Sequence, residues 1–348
     1  MVPTFAADRL IVVKGRSEFG CYINCIQMHT FTRRQWLKTA AVATAALPAL
    51  AAVNEDLRAK ARRNLPLAIF TGTYARFPLE EAARRMRADG FRGVVLQYEF
   101  ADVRFDPLKP DWTQLDKIVS TLHRHELEIV ALFGYYNVVD PDATRRKVGE
   151  ERMDCLMTHW QRFGCRVVST ETGTLNVQSE WAESPENATE KGYQECRAAF
   201  EKLARVAERA GAIVSVEGYW RNIISTAERA ERLLHDVKSP ALKIVMDPTN
   251  FYRKEDLTPN VGLARMDSIL RDMFKRIGPD IVVAHAKDVK AAADGTDLPA
   301  AGLGVLDYPL FLRLLAQLDR KVFLTIEHLG YEDVPRARDF VLGQFEKI

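Results

Sequence analysis

Cysteine is scarce in this chain, with five in 348 residues and no pair in C-x-x-C spacing. Only Cys155, Cys165 and Cys196 lie beyond residue 51. An odd, widely spaced set builds neither a disulfide framework nor a zinc knuckle, and reads as thiols buried like small apolar groups. Charge of one sign is also missing: the formal net charge is +2, and no basic run of the kind that tracks a phosphate backbone is present. Nucleic acid is therefore not an expected partner. No apolar run reaches the ~20 residues of a membrane-spanning helix. The longest, from Thr39 to Val53, falls short, so no stable membrane span is expected. After the first strand-like run stands FTGTYARF, not the G-x-G-x-x-G turn of a dinucleotide fold. Internal repeats and low-complexity linkers are absent too, which leaves one domain after the leader.

Residues 1–51 are expected to be a leader. TRRQWLK, from Thr32 to Lys38, precedes the Ala-rich, uncharged TAAVATAALPALAA, and Ala49-Leu50-Ala51 fits the small-residue cleavage pattern. The arginine pair resembles a twin-arginine export signal, which makes the export machinery an expected partner and the periplasm the expected destination. Such a signal starts a few residues before its arginines. Met28 is therefore read as the start, 28–51 as the signal peptide and 1–27 as upstream sequence translated by mistake. Without 1–51 the chain loses six basic and two acidic residues, and its net charge becomes −2. Residues 52–348 then carry the fold.

There, strand-like and helix-like segments alternate. Short apolar, β-branched runs stand at 66–72, 93–99, 127–134, 166–173, 212–218, 242–247, 281–288 and 322–328. Helical patterns separate them, at 78–90, 112–126, around 151–163, 187–210, 225–235, 259–276, from near Asp307, and at the C-terminus. Eight buried strands with helical crossovers predict a single (β/α)8 barrel, an α/β fold of ~250 residues.

Chemistry in such a barrel sits where the strands end. Four runs end in a side chain able to bind a divalent cation: AIVSVE at Glu217, LKIVMD at Asp247, IVVAH at His285 and VFLTIE at Glu327. A buried carboxylate is costly unless it is paired, hydrogen-bonded or on a metal. Four such groups at four equivalent places point to one site. Carboxylates with one imidazole suit one divalent ion, Mn²⁺, Mg²⁺, Co²⁺ or Zn²⁺, and the competing reading is ion pairing with Lys287 or Arg221. Other strand ends bring Tyr135, Glu171 and Lys287, expected with Asn250 to line a substrate site. His328, one residue after Glu327, is expected on the opposite face by strand alternation unless the strand has already ended there. His123, His125, His159 and His235 fall on helices. GLGVLDY (302–308) reads as a tight active-site loop, with Asp307 capping the next helix.

VEGY at the fifth strand, MDPTN at the sixth, HAKD at the seventh, GLGVLDY, and IEH at the eighth make the chain resemble the sugar phosphate isomerase/epimerase family. These are xylose-isomerase-like barrels related to ketose 3-epimerases. The resemblance implies that Glu217, Asp247, His285 and Glu327 hold the metal and that Glu217 and Glu327 are also the acid/base pair. The implied reaction is isomerisation or epimerisation of a sugar or sugar derivative through an enediolate. Dehydration of a cyclic polyol ketone starts from the same proton abstraction and is the first alternative. An endonuclease-IV-like phosphodiesterase and a non-catalytic sugar-binding barrel are weaker ones. Two departures stand out: Asn250 occupies a place that holds histidine in several epimerases, and DLPAAG, before the Gly-x-Gly loop, carries no arginine. A small-molecule sugar is the expected partner, and an oligomer is compatible with the sequence.

Overall fold

Eight short strands close into a parallel barrel: β1 (Leu67–Phe70), β2 (Gly93–Leu96), β3 (Glu128–Phe133), β4 (Val167–Glu171), β5 (Ile213–Glu217), β6 (Leu242–Met246), β7 (Ile281–Ala286) and β8 (Phe323–Ile326). Each pairs in parallel with its neighbours in chain order, and β8 closes the ring on β1 with Leu67 opposite Leu324 and Ile69 opposite Ile326. This computed structural model describes residues 55–257 and 262–348. The leader read over 1–51, including the 28–51 signal and the Met28 start, lies outside the described residues. Leu57–Ile348 forms one compact unit, and among the described residues no helix is long and apolar enough to cross a membrane.

Local chemistry explains the helices between the strands. Asp111 accepts hydrogen bonds from the Thr113 and Gln114 amides and starts Trp112–Arg124, whose Leu115, Ile118 and Leu122 face the core. Thr189 caps Glu190–Ala210, which ends at Gly211 with φ of 71°. Each such cap contributes about 1 kcal/mol. The helix expected around 151–163 begins earlier, as Ala143–Thr158, because Asp142 caps it through the Thr144 and Arg145 amides. It breaks at His159, whose ring packs 4.8 Å from that of Trp112, and resumes as Trp160–Phe163.

Two apolar layers hold the barrel. The larger lies between strands and helices, and the smaller lies inside the ring, with Ala68, Val95, Val130, Ala131, Val283 and Phe323. Gly93 is required by this inner layer. A Cβ there would sit 2.6 Å from the Phe323 ring and 2.7 Å from Val130, so its absence lets that ring fill the barrel interior. Cys165 and Cys196 are buried free thiols, and Cys155 is free and half-buried.

Candidate metal centre and active site

The side-chain period of a strand decides which residues reach the barrel axis. Val283 and Phe323 point inward, so His285, two residues after Val283, shares that face, and Glu327, directly after the end of β8, joins the same cluster. On β4 and β5 the Ser169 and Ser215 hydroxyls meet at 2.8 Å, and two residues later Glu171 and Glu217 stand in register. Asp247 follows β6 directly. Its Oδ1 accepts from the Thr249 amide (3.0 Å) and hydroxyl (2.7 Å), starting the turn Pro248–Phe251 and leaving Oδ2 turned to the centre. The sequence MDPTN is thus a turn that presents one carboxylate oxygen.

Glu217, Asp247, His285 and Glu327 are all buried, and one ligand atom from each lies within 4.8 Å of all the others. His285 Nδ1 is 3.4 Å from Glu217 Oε1, 3.4 Å from Glu327 Oε1 and 3.9 Å from Asp247 Oδ2. Lys287 Nζ is 2.6 Å from Asp247 Oδ2 and 2.8 Å from Glu327 Oε1. These are charge contacts without aligned hydrogen bonds: Asp247 Oδ2, His285 Nδ1 and Glu327 Oε1 are buried with no hydrogen-bond partner. Four buried ligand atoms converge on one point, with Lys287 as the charge partner of two of them; this oxygen-rich donor set with one imidazole fits a divalent cation.

Tyr135 and Asn250, expected to face substrate, both serve Glu217. The Tyr135 hydroxyl donates to Oε2 and Asn250 Nδ2 donates to Oε1 at 2.6 Å. Burial, then the Glu217 charge, holds the Tyr135 phenol well above its ordinary range, so it stays a donor. Burial alone would raise Glu217, but His285 and Lys287 outweigh it and hold the carboxyl below the usual range. At His285 burial works against the proton, and the charges of Glu327 and Glu217 overcome it, raising the imidazole well above normal. Beside Lys287 the imidazole thus favours its protonated form, and a divalent ion held by His285 would have to displace that proton. Asp247 is pushed up to about 6, chiefly by burial.

Glu171 has a different balance. It is 5% exposed, accepts from Asn222 Nδ2 at 3.1 Å, and is raised to about 7 by burial, with the Asn222 hydrogen bond opposing. The folded value lies above the unfolded one, near 4.5. Its contribution to stability is therefore full below about pH 4.5 and is lost as the pH rises through 7. Glu171→Gln should remove this dependence and raise the unfolding free energy at pH 8 by up to about 3 kcal/mol. Urea melts at pH 5 and pH 8 check this; an unchanged pH profile contradicts it.

A cavity of about 530 Å³ opens above the cluster. Among the expected residues, Tyr135, Glu171, Glu217, Asn250, Lys287 and Glu327 line it. Phe70, Tyr136, Trp181 and Tyr219 line it as well and were not expected there, and Gln97, directly after the end of β2, lines it too. Phe70 packs edge-on to the His285 ring at 5.4 Å. His328 is a correction. β8 ends at Ile326, so strand alternation no longer holds, and His328, with φ of 57°, also lines the cavity. Its Nδ1 is 2.8 Å from the Leu298 carbonyl. A left-handed histidine beside the buried cluster is local strain held by its surroundings.

GLGVLDY is the other correction, since none of its residues lines the cavity. It braces β7. The buried Asp288 carboxylate accepts from the Val289, Gly302 and Leu306 amides at 2.9, 3.0 and 2.9 Å. The Tyr308 hydroxyl donates to the Lys287 carbonyl at 2.8 Å. Gly304 allows this approach, because a Cβ would lie 2.4 Å from Asp288 Oδ1. Asp307 caps Tyr308–Gln317 through the Leu310 amide, as its position suggested. The brace fixes the backbone from which Lys287 reaches into the cluster.

Comparison with known proteins agrees with this architecture. A family model described as xylose isomerase-like TIM barrel matches residues 81–341. No curated protein matches the chain. Among solved structures, an L-ribulose 3-epimerase superposes with a TM-score of 0.59 at 16% identity, covering 81% of this chain and 95% of that one. The 3-keto-D-glucoside 4-epimerase of E. coli, in its apo form, gives 0.56 at 17% identity, covering 82% and 100%. A xylose isomerase-like TIM barrel protein from Mycobacterium smegmatis, in complex with magnesium, gives 0.58 at 15% identity, covering 81% and 97%.

Proposed function

The chain belongs to the xylose isomerase-like TIM barrel family, and from that premise we propose that it is a divalent-metal-dependent isomerase or epimerase of a sugar or sugar derivative. The observation that carries the proposal is the convergence of Glu217, Asp247, His285 and Glu327 on one buried point under a cavity that Glu217 and Glu327 both line. A divalent ion held by these four residues would act as a Lewis acid toward a carbonyl oxygen and favour loss of a proton from the next carbon. Glu217 and Glu327 come from different strands and are held ionised by His285 and Lys287, so either can accept that proton. Return by the other carboxylate to the same carbon from the opposite face inverts it. Return to the neighbouring carbon exchanges aldose for ketose. Tyr135 and Asn250 keep Glu217 oriented, and Asn250 does so from the place where several relatives are expected to carry histidine. With the export signal proposed for residues 28–51, the setting is the periplasm and the substrates are free sugars.

The test is a panel of aldoses, ketoses and cyclic polyol ketones incubated with the protein and Mn²⁺ in deuterated water, followed by NMR. Deuterium entering a carbon beside the carbonyl, with a new epimer or isomer, is the expected result. Loss of water from the product instead favours the dehydratase reading. No exchange into any member of the panel contradicts both.

A further inference from the structure

The cavity is larger than one sugar ring needs, and its two ends differ in chemistry. At ~30 Å³ per water-sized group, 530 Å³ holds roughly 18 non-hydrogen atoms, more than a single hexose supplies, and the cavity is open at its mouth, where a second ring can extend beyond it. The inner end is polar, with Glu171, Glu217, Asn250, Lys287 and Glu327. The outer end carries Trp181, an aromatic side chain 57% exposed.

Trp181 sits on a built loop. The Thr174 hydroxyl donates to the Ala182 carbonyl at 2.8 Å, and Asn176 Nδ2 donates to the Glu183 carbonyl at 3.0 Å. Asn187 ties the base, accepting from the Leu175 amide and donating to the Thr174 hydroxyl, both at 2.8 Å. The loop is thus pinned on both sides of Trp181, whose indole nitrogen has no hydrogen bond and whose ring has no aromatic partner among the described residues. A fixed, uncovered indole at the mouth of a polar cavity presents a flat apolar face to an incoming ligand.

Charge limits what that ligand is. Lys287 is the one Lys or Arg in the lining, and it is already held by Asp247 and Glu327. The nearby guanidinium groups are committed elsewhere: Arg221 to the Asp294 carbonyl, Arg253 to Glu183 and the Trp220 carbonyl, and Arg145 to Asp140. Glu180 stands beside Trp181 in the lining. Among the described residues of the lining, a phosphate at the outer end would meet the Glu180 carboxylate and no lysine or arginine besides Lys287, while the His328 imidazole is engaged through Nδ1 with the Leu298 carbonyl.

We infer that the substrate is an uncharged, two-ring sugar: one ring carrying the reacting carbonyl over the buried cluster, and a second, glycosidically linked ring stacked on Trp181. This deepens the proposed function and rests on it for the placement of the reacting ring. It makes the outer ring a specificity element, bound by apolar contact and excluded from the chemistry.

Calorimetric titration of Mn²⁺-loaded protein with D-fructose, D-fructose 6-phosphate and the glucosyl-fructose isomaltulose, and with D-glucose and maltose, tests the inference. In at least one pair the disaccharide should bind tenfold or more tighter than its monosaccharide, and the phosphate ester no tighter than D-fructose. Trp181→Ala, a change at an exposed ring, should abolish the disaccharide advantage and leave monosaccharide affinity unmoved. Tightest binding by D-fructose 6-phosphate, no disaccharide advantage in either pair, or equal losses for both sugars in Trp181→Ala would overturn it. Deuterium exchange in the same samples reports the reaction class separately. Trp181-dependent disaccharide binding without exchange defeats the proton-transfer reading and sustains the two-ring one, whereas exchange without a disaccharide advantage does the reverse.

Discussion

Glu217→Gln and Glu327→Gln should each lower solvent deuterium exchange into the substrate by about 10²–10⁴-fold, the range over which one positioned acid or base contributes. Both residues are buried at the barrel axis, and both are held ionised by His285 and Lys287 against the cost of burial. Glutamine keeps the shape and loses the ability to take a proton; at 217 it also keeps only one of the two hydrogen bonds accepted from Tyr135 and Asn250, because its amide nitrogen cannot accept. Each glutamate is also a candidate ligand, so metal content must be measured in the same preparations. A variant that retains its ion and loses exchange isolates proton transfer. Exchange persisting in both variants rules out the acid/base assignment.

The second large effect concerns Lys287. Its ammonium is almost wholly buried and contacts Asp247 and Glu327 within 2.8 Å. Burial opposes its charge, and Asp247 and Glu327 more than compensate, so it stays protonated throughout the physiological range. In the metal-free protein it is the main fixed counter-charge to the carboxylates. Lys287→Met should therefore destabilise the metal-free protein by roughly 3–5 kcal/mol, the cost of leaving a buried ion pair half-empty. Removing that positive charge should also tighten divalent binding, so saturating Mn²⁺ should restore more stability to the variant than to the parent. For scale, a ligand at a thousand times its dissociation constant adds about 4 kcal/mol. Thermal melts with chelator and with Mn²⁺ measure both halves. A metal-free variant as stable as the parent, or an equal gain on adding Mn²⁺, contradicts this role.

The barrel was legible because its strands are buried on both sides and so read as continuous apolar runs. IVVAH has no polar residue before the one that matters, and VFLTIE has only Thr325. That same contrast exposed the ligands: a carboxylate or imidazole after four or five apolar residues stands out because its burial needs a partner. The neighbourhood of the site was less legible. His328 follows Glu327 in sequence, and only the end of β8 at Ile326 and the left-handed backbone at 328 turn it into the cavity. Neither is written in local propensity. Tyr135 and Asn250 were recognisable as site residues, but their attachment to Glu217 depends on β3, β5 and the turn after β6 meeting in space. Trp181 lies on a loop with no periodic pattern. GLGVLDY read as a tight active-site loop. It is tight, but it closes on Asp288, the last residue of the HAKD motif, and not on the cavity. That aspartate, with its three amide donors, could have been suspected as a brace from its place beside a lysine that had to be held rigid.

The most direct test is the anomalous diffraction of crystals grown without chelator and soaked in Mn²⁺. One peak enclosed by Glu217, Asp247, His285 and Glu327, with Lys287 Nζ withdrawn from Asp247 Oδ2, is the result expected. No peak there, with the Lys287 contacts to Asp247 and Glu327 intact, would show a salt-bridged cluster instead of a metal centre.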